Sequence, residues 1–383
     1  MELKLDLTKE YGIVLEGGGA KGSYQIGAWK ALREAGVKIR GIAGASVGAL
    51  NGALMCMDDL EHAEYIWDHI RYSQVMDVDD TVMENVKKGD LKALNLSDLL
   101  ADARRVLKDR GFDITPLRKL IGEAVDEEKI RSSERELFVS TISISDRRPL
   151  VINIKEVAEG EIGDMLLASA YFPAFKPEKL GGKLYTDGGG ANNVPVDVLA
   201  ERGYRDIIVI RIYGLGLDTE RFFNAPEDVS IYHIAPRQNL GGILEFDRKK
   251  ARRNMTLGYL DGMRLLYGLA GRRYYLDAPE SEAYYFDKMM SELELLKGYL
   301  EPEFSPEELE AMKGYRFYTE RIFPELARKF ELKEDWDYRE LYLMILEQLA
   351  GKLRISRFRV YTAEELSLKI HQKMRKLDRV LQM

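Results

Sequence analysis

Short apolar runs alternate with helical stripes from Tyr11 to about Pro236. Tyr11–Leu15 is a compact apolar run that ends in glycines, the pattern of a buried strand. Gly22–Ala35 follows with Ile26, Trp29, Ala31 and Leu32 at helical spacing. Val37–Ala43 predicts a second strand, and Val47–Met57 a helix of small residues. Leu137–Ile144 and Leu150–Ile154 are rich in β-branched residues and predict strands. Pro195–Arg202 predicts a helix opened by proline. Ile207–Tyr213 predicts a strand covered on both faces, and Val229–Ile234 another. Strands taking turns with helices predict a largely parallel α/β sheet. Between them, Asp58–Glu136 reads as mostly helical, a cap or insertion of residues 58–136.

From about Phe246 the pattern changes to long, charged, tyrosine-rich helical stretches, punctuated by Pro302, Pro306 and Pro324. No solenoid-type repeat is visible. The domain division this predicts is 10–236 for the sheet and 237–383 for a helical C-terminal region. The last stretch, Ala363–Met383, carries Leu366, Ile370, Met374, Leu377 and Leu381 on one stripe. So narrow a stripe is the signature of a helix packed on its own core rather than one lying in a membrane interface.

Composition narrows the function classes. The chain has 383 residues, 45% of them apolar, and a net charge of −7. That balance fits a globular protein and gives nucleic acid no general foothold. Cys56 is the single cysteine, so no disulfide forms within the chain and no multi-cysteine metal site exists. The N-terminus has no basic region followed by an apolar stretch, and the longest uncharged run, Gly41–Met57, is glycine-rich and short for a span. The expectation is a cytoplasmic protein, with room for peripheral contact at the inner face of an anionic membrane. Arg248–Arg253 places five basic residues in six, a solvated or acid-paired helix face by preference and a headgroup site by alternative. Oligomeric state is not encoded in any visible pattern.

Two glycine motifs carry the chemistry. Gly17-Gly18-Gly19-Ala20-Lys21-Gly22 follows a strand and opens a helix, formally a dinucleotide fingerprint. That fingerprint needs an acid near the end of the second strand, and Val37–Gly52 contains none. A phosphate loop fails too, because Lys21 precedes Gly22 and no Gly-Lys-Ser/Thr follows. A backbone able to approach an anion remains, either a phosphate or the oxyanion of acyl transfer. Gly44-Ala45-Ser46-Val47-Gly48 then sets a serine between strand and helix with small residues on both sides, as a strained nucleophile turn requires.

Such a serine needs a base. His62, His69, His233 and His371 lack any turn context that would present them. Asp187, at the end of Leu184–Asp187 and before Gly188-Gly189-Gly190, is the better placed carboxylate.

These motifs, in this order, resemble the patatin-like phospholipases. Ala168–Pro177 and Asn192-Asn193-Val194-Pro195 add to the likeness, which spans Gly12–Arg211. The resemblance implies a three-layer α/β/α fold and an acyl-ester hydrolase with Ser46 as nucleophile and Asp187 as base. It further implies an oxyanion hole of Gly17, Gly18 and Gly19 amides, supported by Lys21, with Gly44 and Gly48 shaping the turn. The substrate would be a lipid or phospholipid acyl ester, and no metal or cofactor is called for. A nucleotide-binding module and a non-catalytic lipid-binding protein are the alternatives. The tail resembles that of a bacterial subgroup.

Overall fold

The computed structural model describes residues 1–80, 83, 111–292 and 315–381. The remainder of the predicted 58–136 insertion, together with Pro302 and Pro306, lies outside the described residues. The chain forms two compact units, Leu5–Leu266 and Tyr267–Met383 with Met1–Lys4.

In the first unit the strands are β1 (Glu10–Leu15), β2 (Lys38–Ala45), β3 (Glu136–Ser143), β4 (Arg148–Asn153), β5 (Tyr185–Asp187), β6 (Asp206–Ile210) and β7 (Ser230–Ile234). Among the described residues they make one sheet of order β4-β3-β2-β1-β6-β7. All neighbours from β3 to β7 along this path are parallel, while β4 and β5 both run antiparallel to β3. Alternation sorts the side chains to two faces. Val14, Ala43, Phe138, Ile207 and Val209 cluster with α6 (Val196–Ala200). On the other face, α2 (Val47–Cys56) lies over Leu15, Ile42 and Leu137, which a Cβ on Gly48 or Gly52 would strike. Helices on both faces of a mostly parallel sheet make the expected three-layer α/β/α arrangement.

The predicted strand Ile207–Tyr213 ends earlier, at Ile210. The reason is electrostatic: Arg211 and the amides of Ile212, Tyr213 and Gly214 turn onto the buried Glu16 carboxylate instead of continuing the ladder.

The stretch from 237 to 266 lies within the sheet unit. Helix α7 (Arg248–Tyr267) packs backbone to backbone on α1 (Ser23–Glu34). A Cβ on Gly27 would meet the Met255 carbonyl oxygen at 1.8 Å, and one on Gly258 would meet that of Tyr24 at 1.9 Å. Tyr24 and Asp261, both buried, bond across the same seam at 2.8 Å. On its basic face Arg248 and Arg252 both pair with Asp68, and Lys250 with Glu245.

The second unit contains α8 (Glu282–Ser291), α9 (Phe323–Lys329), α10 (Tyr338–Lys352), α11 (Ala363–Leu381) and a parallel pair, β8 (Tyr275–Asp277) with β9 (Val360–Thr362). Its core gathers Tyr285, Met289, Phe323, Leu341, Ile345, Leu346, Leu366 and Ile370. Leu366 and Ile370 are buried and Met374 packs beside them, so this stripe faces protein. Leu377 is exposed. Among the described residues no helix is long and apolar enough to cross a membrane.

Candidate active site

The site forms where the carboxyl ends of β1, β2 and β6 release their loops, the edge at which open α/β sheets bind ligands. At the end of β2 the chain turns sharply through Ser46, with φ 53° and ψ −125°, a strained conformation for a residue with a side chain. Gly44 and Gly48 make the turn possible: a Cβ on Gly44 would lie 2.5 Å from the Gly48 carbonyl carbon, and one on Gly48 2.2 Å from the Leu15 oxygen. The Ser46 carbonyl accepts from the Ala49 and Leu50 amides as α2 begins. The Ser46 side chain thus stands at a helix N-terminus, where the dipole favours negative charge.

Asp187 arrives by a route the sequence does not display. Strand β2 ends opposite Ser140 with Ala45, and β5 occupies the next position along β3, with Asp187 opposite Thr141. As β2 leaves the sheet at Ser46, β5 enters its lane from the other direction. Ser46 Oγ donates to Asp187 Oδ2 at 2.6 Å, and the Gly189 amide donates to Asp187 Oδ1 at 2.8 Å. Burial pushes the Asp187 carboxyl above the usual aspartate range, against these two donors, which pull it down.

The glycine loop sits opposite. Gly17 is stitched to Asn193: its amide donates to the Asn193 carbonyl at 3.3 Å, and Asn193 Nδ2 donates to the Gly17 carbonyl at 3.2 Å. Among the described residues, the Gly18 and Gly19 amides have no such acceptor. Lys21 points away from the cavity lining. Its Nζ donates to the Tyr213 carbonyl at 2.5 Å, and burial lowers the pKa of its ammonium, opposed by the Glu16 charge.

A cavity of about 480 Å³ opens over Ser46 and Asp187. Its walls are overwhelmingly apolar, including Leu54, Trp67, Leu117, Ile121, Phe172 and Phe246. Trp67 comes from α3 (Leu60–His69), and Leu117 and Ile121 from α4 (Thr115–Ala124). Both helices belong to the stretch read as an insertion. None of the four histidines lines the cavity. His62 bonds the Ala124 carbonyl, His69 that of Tyr65, His233 the Glu220 carboxylate and His371 the Ser367 carbonyl.

Two supporting residues escape sequence reasoning. Ser169, fully buried on α5 (Ile162–Ser169), accepts from the Ser46 amide at 2.9 Å and donates to the Ser140 carbonyl at 2.7 Å. It lies in the Ala168–Pro177 stretch, but only the fold gives it a task. Glu16 directly precedes the glycine loop. It accepts from the Arg211 guanidinium and three successive amides, holding the turn whose Gly214 abuts the Gly17 carbonyl.

Fold and site together define an α/β protein with a serine–aspartate pair at the carboxyl edge of its sheet. Residues 13–200 match the sequence profile of the patatin-like phospholipases, and through this domain the chain belongs to the patatin-like phospholipase family. It is 30% identical over 201 residues to the neuropathy target esterase sws of Drosophila melanogaster, and 27% identical over 203 residues to the patatin-like phospholipase domain-containing protein 7 of Mus musculus. Each match covers 52% of this chain, and the chain spans 13% of the length of either relative. A crystal structure of VipD from Legionella pneumophila superposes with a TM-score of 0.38 at 13% identity, covering 89% of this chain and 84% of that one.

Proposed function

We propose that the protein is a serine hydrolase of lipid acyl esters, working through an acyl-Ser46 intermediate. The observation that carries this reading is the 2.6 Å hydrogen bond from Ser46 Oγ to Asp187, placed at an apolar cavity. An ester enters with its acyl chain along the apolar wall. Asp187 takes the Ser46 proton as Oγ attacks the carbonyl carbon. The carbonyl oxygen becomes an oxyanion, held by the Gly18 and Gly19 amides and favoured by the α2 N-terminus. Gly17 contributes by position, since its amide is turned to Asn193. Lys21 supports the loop from behind through Tyr213. As the tetrahedral species collapses, the ester C–O bond breaks and Asp187 returns the proton to the departing alcohol. Water then attacks the acyl-serine with Asp187 again as base. The fatty acid leaves and Ser46 Oγ regains its proton.

An aspartate is a weak base for a serine, so its raised pKa helps the transfer, and the donors around the oxyanion must supply much of the barrier reduction. The names of relatives, an esterase and a phospholipase-domain protein, agree with this chemistry. The test is a fluorophosphonate probe followed by a panel of acyl esters. Labelling should occur on Ser46 alone and vanish in Ser46→Ala. Undiminished ester turnover by purified Ser46→Ala protein would remove the acyl-enzyme.

A further inference from the structure

Large apolar side chains left in solvent are mostly scattered singly over the described surface, which is ordinary. One loop departs from that. After β6, Tyr213, Leu215, Leu217 and Phe222 are all exposed, Leu215 at 73% and Phe222 at 78%, and Leu244 joins them after β7. Leu215 and Leu244 also line the cavity over Ser46, so the exposed carbon continues inward to the reacting serine.

The loop is held firmly from below. The Tyr213 and Gly214 amides donate to Glu16, the Leu217 amide to the Gly189 carbonyl, and the Leu217 carbonyl accepts from the Asn193 amide. Its acids face inward: Asp218 and Glu220 both pair with the largely buried Arg211. An ordinary loop turns charge to water and carbon to protein. Here Asp218 and Glu220 turn inward while four large apolar side chains turn outward on a fixed backbone, with Arg221 in solvent between them.

We propose that Tyr213, Leu215, Leu217, Phe222 and Leu244 form the face by which the protein seats on a lipid–water interface. The proposal rests on the acyl-ester reading of the cavity. A lipid chain then passes from the lipid layer past Leu215 and Leu244 to Ser46 without crossing water, which apolar surface strongly disfavours. Attachment comes from carbon burial; in the basic run Arg248 and Arg252 are held by Asp68 and Lys250 by Glu245. Binding driven by carbon burial requires no anionic lipid and resists salt.

The experiment floats Ser46→Ala protein with phosphatidylcholine vesicles, so that nothing is hydrolysed, at low and high salt. The parent should float equally well in both. Phe222→Ser and Leu217→Ser should each weaken vesicle binding about tenfold, and Phe222→Trp should retain it. In the Ser46-intact background, Phe222→Ser should turn over a water-soluble short-chain ester normally, with circular dichroism unchanged. Three outcomes overturn the proposal: Phe222→Ser and Leu217→Ser floating like the parent, binding that needs anionic lipid and fails in salt, or a patch whose mutation abolishes self-association while vesicle binding is absent. The two readings fail separately. Vesicle binding without fluorophosphonate labelling removes the hydrolase and keeps the docking face, and labelling without vesicle binding removes only the docking face.

Discussion

Two carboxylates flank the Gly17–Gly19 loop and live in contrasting surroundings. Glu16, behind it, is rich in donors: a guanidinium and two backbone amides converge on Oε2 and a third amide on Oε1. Asp187, in front, accepts one hydroxyl and one amide and has no cationic partner among the described residues. A carboxylate that gathers this many donors fixes the backbone supplying them, because moving the turn would give up several charge-assisted bonds at once. One that is buried with few donors and no counter-charge holds a proton readily and can pass it on. In the proposed reaction the same functional group is thus a strut on one side of the loop and a proton carrier on the other, and the donors around it make the difference.

The strongest way to break this contrast is Asp187→Asn. It should lower kcat/KM on a soluble ester by about 10³-fold or more, as severely as Ser46→Ala, because members of one catalytic unit fail together. Single Gln replacements of His62, His69, His233 or His371 should leave most activity. A folded histidine variant as inactive as Ser46→Ala, beside an active Asp187→Asn, would transfer the base role.

Glu16→Gln tests the strut. It leaves amides and a buried guanidinium short of an acceptor and should cost about 2–3 kcal/mol in urea denaturation. Arg211 keeps Asp218 and Glu220, which limits the damage. An unchanged midpoint would mean that Glu16 is not needed to hold the turn.

Ser169→Ala removes the acceptor of the Ser46 amide. The expected loss is about 1–2 kcal/mol of stability, with a smaller fall in kcat than at Asp187. A kcat equal to the parent's would separate the turn's geometry from this bond.

The finest effect is in pH. Proton abstraction needs the carboxylate, and the Asp187 pKa is raised, so kcat/KM should fall with acid at a pH above the ordinary aspartate range. The same shift means that the folded state binds this proton more tightly than the unfolded chain. The stability it contributes is present in acid and is lost as pH rises through the folded value. At neutral pH, Asp187→Asn should therefore melt at or above the parent temperature while nearly inactive, with the gap closing in acid. A lower melting temperature for Asp187→Asn at neutral pH would show that the carboxylate stabilises the fold.

Much of the framework was legible because its signals are local. Apolar runs marked β1, β2, β3, β6 and β7 to within a few residues, and small residues around Ser46 marked the turn. Where the structure departs from the local pattern, a distant contact is the reason. The apolar run Ile207–Tyr213 predicts a strand through Tyr213, while β6 ends at Ile210 because a distant carboxylate claims the Ile212 and Tyr213 amides. Composition changes at about Phe246, while close packing at Gly27 and Gly258 sets α7 on α1 within the unit Leu5–Leu266.

The sequence by itself determined the α/β alternation, the strained serine turn and the glycine loop, since each depends on neighbours a few residues away. It also named Asp187, by its place at a strand end. What the tertiary structure decided is why that aspartate meets that serine: β5 enters the lane along β3 that β2 vacates at Ser46, joining residues 141 apart. The Ser169 brace, the Glu16 strut and the outward apolar loop were settled at the same level. Periodicity records which face of an element is buried. Partners across the sheet are set by packing and hydrogen-bond completion, which have no local period to read.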